Sequence, residues 1–317
     1  VRTTPEGIKR RFGGIEPMRV ALEVGTHSAW MSEVLEELGH EVVVANPRQV
    51  RLIGESRLKD DRLDAERLAR LARVDPRLLA PVNHRRGDAR ADYALLKARD
   101  AVVRTRTLLI NHVRGVVKST GSRLPSCSAS SFAKQARDRV PAALEPALLP
   151  VLETIQDVTR TIGAYDRHAK RRVAQSYPAA ARLQAIAGVG AVTALAYVLV
   201  IFRPDRFDKS RDVGSYLGLV PARRESGDRH PQLGISKEGS VFARRLLVQA
   251  AHYILGPFGP DCDLRQFGLT IVARGGPYAK KRAIVAVARK LATVMHRIWI
   301  TGEEYDPFYN ARSKRAA

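Results

Sequence analysis

Arg19-Val20-Ala21-Leu22-Glu23-Val24-Gly25 is a short apolar run closed by a glycine, the pattern of a buried strand. His27-Ser28 then offers a helix start, and Trp30, Val34, Leu35 and Leu38 follow at helical spacing until Gly39 stops the run. Glu41-Val42-Val43-Val44-Ala45 is the next strand, ended by Asn46-Pro47. Strand, helix and strand in so short a length predict a parallel pair joined by a right-handed crossover, and hence an α/β N-terminal part. Two strands make too small a sheet for a domain, so further strands are expected, including upstream of Val1. Glu23 sits at the carboxyl end of its strand, the edge where ligands gather in open α/β sheets; a solvent-facing glutamate is the plainer alternative.

Downstream, Asp60-Asp61-Arg62-Leu63-Asp64-Ala65-Glu66-Arg67-Leu68 opens a helix. At about 100° per residue, Asp61 and Asp64 fall on the side of Ala65, Leu68, Leu71 and Ala72, which predicts that both point inward. Two inward carboxylates need cations, and a divalent metal is one answer. Favourable carboxylates at a helix N-terminus are the other. From Tyr93 to Lys118, Leu95, Val102, Leu109 and Val116 recur every seven residues, as do Leu96, Val103, Ile110 and Val117. Leu148, Ile155 and Ile162, with Val151, Val158 and Tyr165, repeat the pattern. Heptads of this kind specify helix-on-helix seams, here an antiparallel hairpin around a breaker-rich connection from Pro125 to Pro141. Such a hairpin serves either a dimer or an intramolecular bundle.

In the last third, Ile186-Ala187-Gly188-Val189-Gly190-Ala191 reads as helix, turn, helix, a helix-hairpin-helix pattern in which Gly188 and Gly190 leave backbone N–H groups open to a phosphate. A tight corner without ligand has the same sequence. Leu183 to Ile201 carries no charge, but the two glycines divide it, so buried helices and not a membrane span are expected. A polar basic loop follows, with Arg223, Arg224, Ser226 and Arg229; then come Lys237 and a helix bearing Arg244 and Arg245. These cations suit phosphate contacts; those of the helix from Pro277, Lys280, Lys281, Arg289 and Lys290, suit phosphate contacts or simply a solvated face. Ser226 is most simply a turn serine, yet among arginines a serine can also attack a phosphodiester.

The 317 residues include 54 Lys plus Arg against 32 Asp plus Glu, a formal charge of +22. That excess argues against an ordinary metabolic enzyme and for a polyanionic partner. With two cysteines, Cys127 and Cys262, there is neither a disulfide framework nor a cysteine-rich zinc site, which fits a reducing cytoplasm. No secretion signal opens the chain.

Taken in order, these segments resemble the DEDD transposases of insertion-sequence family 110, which include Piv-type invertases and bridge-RNA-guided recombinases. The resemblance rests on Ala21–Ser28, Lys59–Ala65, Gly188-Val189-Gly190, Tyr216-Leu217-Gly218-Leu219-Val220-Pro221, Ser226-Gly227 and Gly234-Ile235-Ser236-Lys237-Glu238-Gly239. It implies a RuvC/RNase H-like α/β domain (1–91, N-terminally truncated), a coiled-coil helical hairpin (92–176) and an α-helical C-terminal transposase domain with the helix-hairpin-helix (177–317). It also implies Mg²⁺ held by four acidic residues, of which Glu23, Asp61 and Asp64 match the second, third and fourth. Ser226 matches the family's nucleophile. The implied partners are DNA and a structured bridge RNA, the working unit a homodimer or homotetramer, and the place the bacterial nucleoid. The family's first Asp lies on a strand before Glu23 that this sequence lacks. A mis-assigned start or a decayed element copy accounts for that, and little strand-transfer activity is expected of the chain as it stands. A RuvC-like nuclease without a serine nucleophile, or a non-enzymatic nucleic-acid binder, are the competing functions.

Overall fold

The expected strands form where the valines put them. In the computed structural model, which describes residues 2–46, 60–222 and 233–310, β1 (Arg19–Glu23) pairs in parallel with β2 (Glu41–Ala45), in register from Arg19↔Glu41 to Glu23↔Ala45. The chain divides into two units, Val1–Gly87 and Asp88–Ala317.

In the first unit the strands' alternation sends side chains to two faces. Val20, Leu22 and Val42 meet Ile8 of helix α1 (Pro5–Phe12) and Val34 and Leu35 of α2 (Ser28–Glu37). Ala21, Val43 and Ala45 meet Leu68, Leu71 and Ala72 of α3 (Asp61–Val74), together with Leu79. The small Ala21 and Ala45 let α3 lie close to the strands. Among the described residues this sheet has two strands.

The second unit is helical throughout, apart from one isolated bridge among its described residues. Helices α4 (Gly87–Ser119) and α6 (Glu145–Ser176) are 33 and 32 residues long. They run antiparallel: Asp92 meets Arg172, Arg99 meets Asp166, and Arg106 meets Thr159. Toward the tip, Ile110, Val113 and Val117 close on Leu148, Leu152 and Ile155. Part of the seam is polar where heptads would have made it apolar. Leu96, Ile110 and Val117 are buried as the repeat requires, but Val103 is not, and Asp92 and Asp100 are. Arginines reach both buried aspartates: Arg172 Nε of α6 donates to Asp92 at 2.8 Å across the seam, and Arg245, from the helix Val241–Leu255, pairs with Asp100. The connection holds one short helix, α5 (Phe132–Arg137), whose Phe132, Ala133 and Ala136 fill the tip. Arg114 lies 4.9 Å over the Phe132 ring and donates to Pro125 O at 3.0 Å, which stitches the connection to α4.

The main core surrounds α8 (Ala191–Ile201), buried on every side from Ala194 to Ile201. A helix apolar all round has to be interior. It is enclosed by α6, α7 (Pro178–Leu183), α10 (Val241–Leu255) and α12 (Ala279–Thr301), with α9 (Asp212–Tyr216) and α11 (Asp263–Ala273) between them in the chain, and Tyr197 donates its hydroxyl to Ala292 O at 2.7 Å. Among the described residues no helix is long and apolar enough to cross a membrane.

Two stability predictions follow from buried polar groups. Asp92 also accepts from the Tyr177 hydroxyl at 2.7 Å, and the phenol's pKa is pushed up to about 12 by its burial and by that bond. Asp92→Ala strands both donors, and denaturant unfolding should show a loss of about 2–4 kcal/mol, against little for the exposed Asp88→Ala. His296 is fully buried between Ser210 Oγ at 3.0 Å and Pro204 O at 2.9 Å, and burial lowers its pKa. Below about pH 6.5 the unfolded chain therefore takes up the proton more readily than the folded one. Stability should fall as pH drops through that range, and His296→Gln should flatten the fall in thermal melts.

Candidate functional site

The acidic site residues lie in the first unit. Glu23 ends β1 and shares the face of Arg19 and Ala21, the face that α3 covers. Arg19, at the other end of the strand, donates to Ala72 O at 2.9 Å, near the last turn of α3. Glu23 itself is exposed at the end of the strand.

The structure corrects the expectation that both aspartates point inward. Asp61 is exposed, and Asp64 is half-buried, with its carboxylate 3.4 Å from Arg67 Nη1. The apolar stripe of α3 is buried from Leu68 onward, while Ala65 is exposed. Asp60 caps this helix by accepting from Arg62 N at 2.9 Å. Glu23 and Asp61 make no hydrogen bond or ion pair among the described residues. As donors, three carboxylates suit a hard divalent cation. Their arrangement does not make a centre: among the described residues, no group of three or more His, Cys, Asp or Glu side chains converges to hold a metal.

One residue that the sequence analysis does not single out, His84, stands beside this edge. Ser28 Oγ, buried at the start of α2, accepts from Gly25 N at 3.0 Å and lies 2.9 Å from His84 Nε2. The turn that follows Glu23 is thereby tied to a histidine far along the chain, which no local pattern could have flagged.

The basic site residues lie in the second unit. Ser226, Arg223, Arg224 and Arg229 fall outside the described residues, but the chain on either side of them is well defined. Pro221 bridges Ile235, Ala222 N donates to Gly234 O at 2.8 Å, and Ser236 N donates to Val220 O at 2.9 Å. Gly218 and Gly239, at φ 65° and 67°, let the two motifs pack backbone to backbone; a Cβ on Gly218 would strike Glu238, and one on Gly239 would strike the Tyr216 carbonyl. Lys237 sits at the surface, also in the left-handed region, at φ 58°. The Ser236 hydroxyl oxygen is buried without a hydrogen-bond partner among the described residues.

Arg244 and Arg245 part company. Arg244 is buried, and its Nη1 donates to Leu217 O at 2.8 Å and to Glu238 O at 2.5 Å, tying the two motifs together. Burial lowers its pKa. Its place is thus inside the scaffold, a correction to its expected role on a phosphate. Arg245, a residue further round α10, is partly exposed and paired with Asp100. Gly188, at φ 81°, forms the expected tight turn before α8, where an added Cβ would come within 3.0 Å of Ala250 O; Gly190 precedes the first residue of that helix and is exposed.

With the geometry described, comparison with known proteins assigns the family. Residues 180–260 match the transposase IS116/IS110/IS902 family, and residues 9–121 match the DEDD transposases of the IS110 type. The transposase for insertion sequence element IS1111A of Coxiella burnetii is 31% identical over 260 residues, 78% of this chain and 68% of the relative. A probable family 20 transposase of Pseudomonas aeruginosa is 27% identical over 90% of this chain and 84% of its own length. The transposase for element IS1328 of Yersinia enterocolitica is 29% identical over 77% and 75%. The chain belongs to the IS110 family of DEDD transposases, enzymes whose substrate is DNA.

Proposed function

We propose that this transposase cuts and rejoins DNA through Ser226, with Glu23, Asp61 and Asp64 as oxygen donors to Mg²⁺ and a structured RNA choosing the DNA sites. In this reading residues 1–91 are the RuvC-like part, 92–176 the helical arm, and 177–317 the transposase part. The observation that carries it is the pinning of Ala222 to Gly234, which brings both ends of the segment holding Ser226 to one rigid place. A serine there would be presented on a fixed base, as a nucleophile needs to be.

The chemistry balances without an outside energy source. The Ser226 oxygen bonds to phosphorus, one bridging P–O bond breaks, and the freed sugar oxygen takes a proton while the serine gives one up. A phosphodiester is exchanged for a phosphodiester, so the reverse attack by a sugar hydroxyl reseals a strand. Flanking Arg223, Arg224 and Arg229 supply positive charge for the phosphate oxygens. DEDD membership carries dependence on a divalent metal. No step is assigned to the ion, since the described carboxylates form no closed centre. The turn at Gly188 and Gly190, with Lys237 and Arg245, provides contacts to the nucleic-acid backbone. A formal charge of +22 suits an enzyme that holds RNA and DNA together and leaves sequence choice to base pairing.

Two experiments decide between this and its rivals. Ser226→Ala should abolish an SDS-resistant protein–DNA adduct while DNA binding persists; cleavage that continues in Ser226→Ala would identify a nuclease that does not use the serine. Glu23→Gln, Asp64→Asn and chelation of divalent metal should each lower strand cleavage at least about 100-fold. If all three leave every activity unchanged, the chain is a binder and not an enzyme. For RNA guidance, ribonuclease treatment of the purified complex should remove sequence-selective DNA binding but leave salt-sensitive non-selective binding.

A further inference from the structure

Next to the bridged segments on either side of residues 223–232 lies a cavity of about 700 Å³, within the size range of sites for small organic groups. One wall is the pinned chain itself, Leu219, Pro221, Gly234 and Ile235. The opposite wall is α12, which presents Lys281, Arg282, Arg289 and Lys290. Among the described residues no carboxylate lines the cavity, and none of these four cations has an acidic partner there.

Two aromatic rings complete the lining, each with an ammonium over one of its faces. Lys290 Nζ lies 4.5 Å from the Phe267 ring centre, and Lys281 Nζ lies 5.2 Å from that of Tyr278. Tyr278 is 72% exposed and is held in the left-handed region at φ 63°, immediately before α12. A bulky residue seldom adopts that conformation, and strain of this kind gathers at ligand sites. Rings that stack on bases, beside cations that take phosphates, are the parts of a single-strand groove. Lys281 and Arg289 are eight residues apart, about 12 Å along the helix, so the rim reaches past a single phosphate.

We propose that this groove binds single-stranded DNA, with unstacked bases against Tyr278 and Phe267 and their phosphates on Lys281, Arg282, Arg289 and Lys290. It rests on the assignment of Ser226 as nucleophile only in its purpose: the wall continuous with the serine segment would receive the strand next to the cut. Charge complementarity and that continuity select a DNA strand as the occupant. Duplex DNA would hide its base faces from both rings.

The test uses the full chain and a short fluorescein-labelled thymidine oligonucleotide, followed by anisotropy across a salt series. Tyr278→Ala should weaken binding about tenfold, with Tyr278→Trp retaining it. Lys281→Gln combined with Lys290→Gln should reduce the log–log salt slope by about 1.4. Thermal melts of these exposed-site variants should stay unchanged. Single-strand binding equal to wild type in both variants overturns the inference. So does an equal loss for duplex DNA, a loss confined to single-stranded RNA, or a change in sedimentation of the free chain in place of a change in DNA binding. Ser226→Ala should bind the oligonucleotide normally. An adduct that survives Ser226→Ala while Tyr278→Ala still weakens binding would remove the nucleophile assignment and leave the groove standing.

Discussion

The buried guanidinium of Arg244 fixes the geometry of the two motifs that flank residues 223–232. It reaches from α10 to the carbonyls of Leu217 and Glu238, one in each of two motifs separated by the segment that carries Ser226. A buried cation satisfied by carbonyl oxygens is costly to leave half-bonded, so the two motifs are held as one unit or not at all. The glycines at 218 and 239 then permit the contact, and the backbone bonds from Ala222 and Ser236 complete it.

Charge is placed by the same logic elsewhere. The arginines that meet aspartates, at 172 and 245, sit where α4 passes α6 and α10, and there they replace apolar packing with ion pairs. The cations of α12 that line the cavity have no acidic partner among the described residues. A chain with this excess of arginine and lysine thus uses part of it to assemble its helices and exposes another part on one helix face. Repulsion among the exposed part is relieved when a polyanion arrives.

Much of this was legible in the sequence, and the failures have identifiable causes. The triple valine and the flanking glycines placed β1 and β2 to within a residue, because strand periodicity and turn chemistry agree there. Helix α1 was overlooked although Thr4-Pro5-Glu6 carries a cap, an N1 proline and an acidic first turn. Heptad reading found the long helices but not Asp92 and Asp100, since it follows apolar residues alone. Arg244 was readable as interior: it shares a stripe with Leu247 and Ala251, whereas its neighbour Arg245 is turned about 100° away. Asp61 and Asp64 follow the apolar phase of α3, but phase says nothing about whether another element covers the first turn. The joining of Tyr216–Pro221 to Gly234–Gly239 depends on contacts across an intervening loop, which no local pattern encodes.

The central claim is that a serine on the anchored segment forms a covalent bond to DNA. Its most direct measurement is mass spectrometry of the trapped protein–DNA adduct after protease and nuclease digestion. The account predicts a nucleotide remnant on Ser226 and on no other residue. A remnant on a different side chain, or complete strand exchange with no covalent protein intermediate, would contradict it.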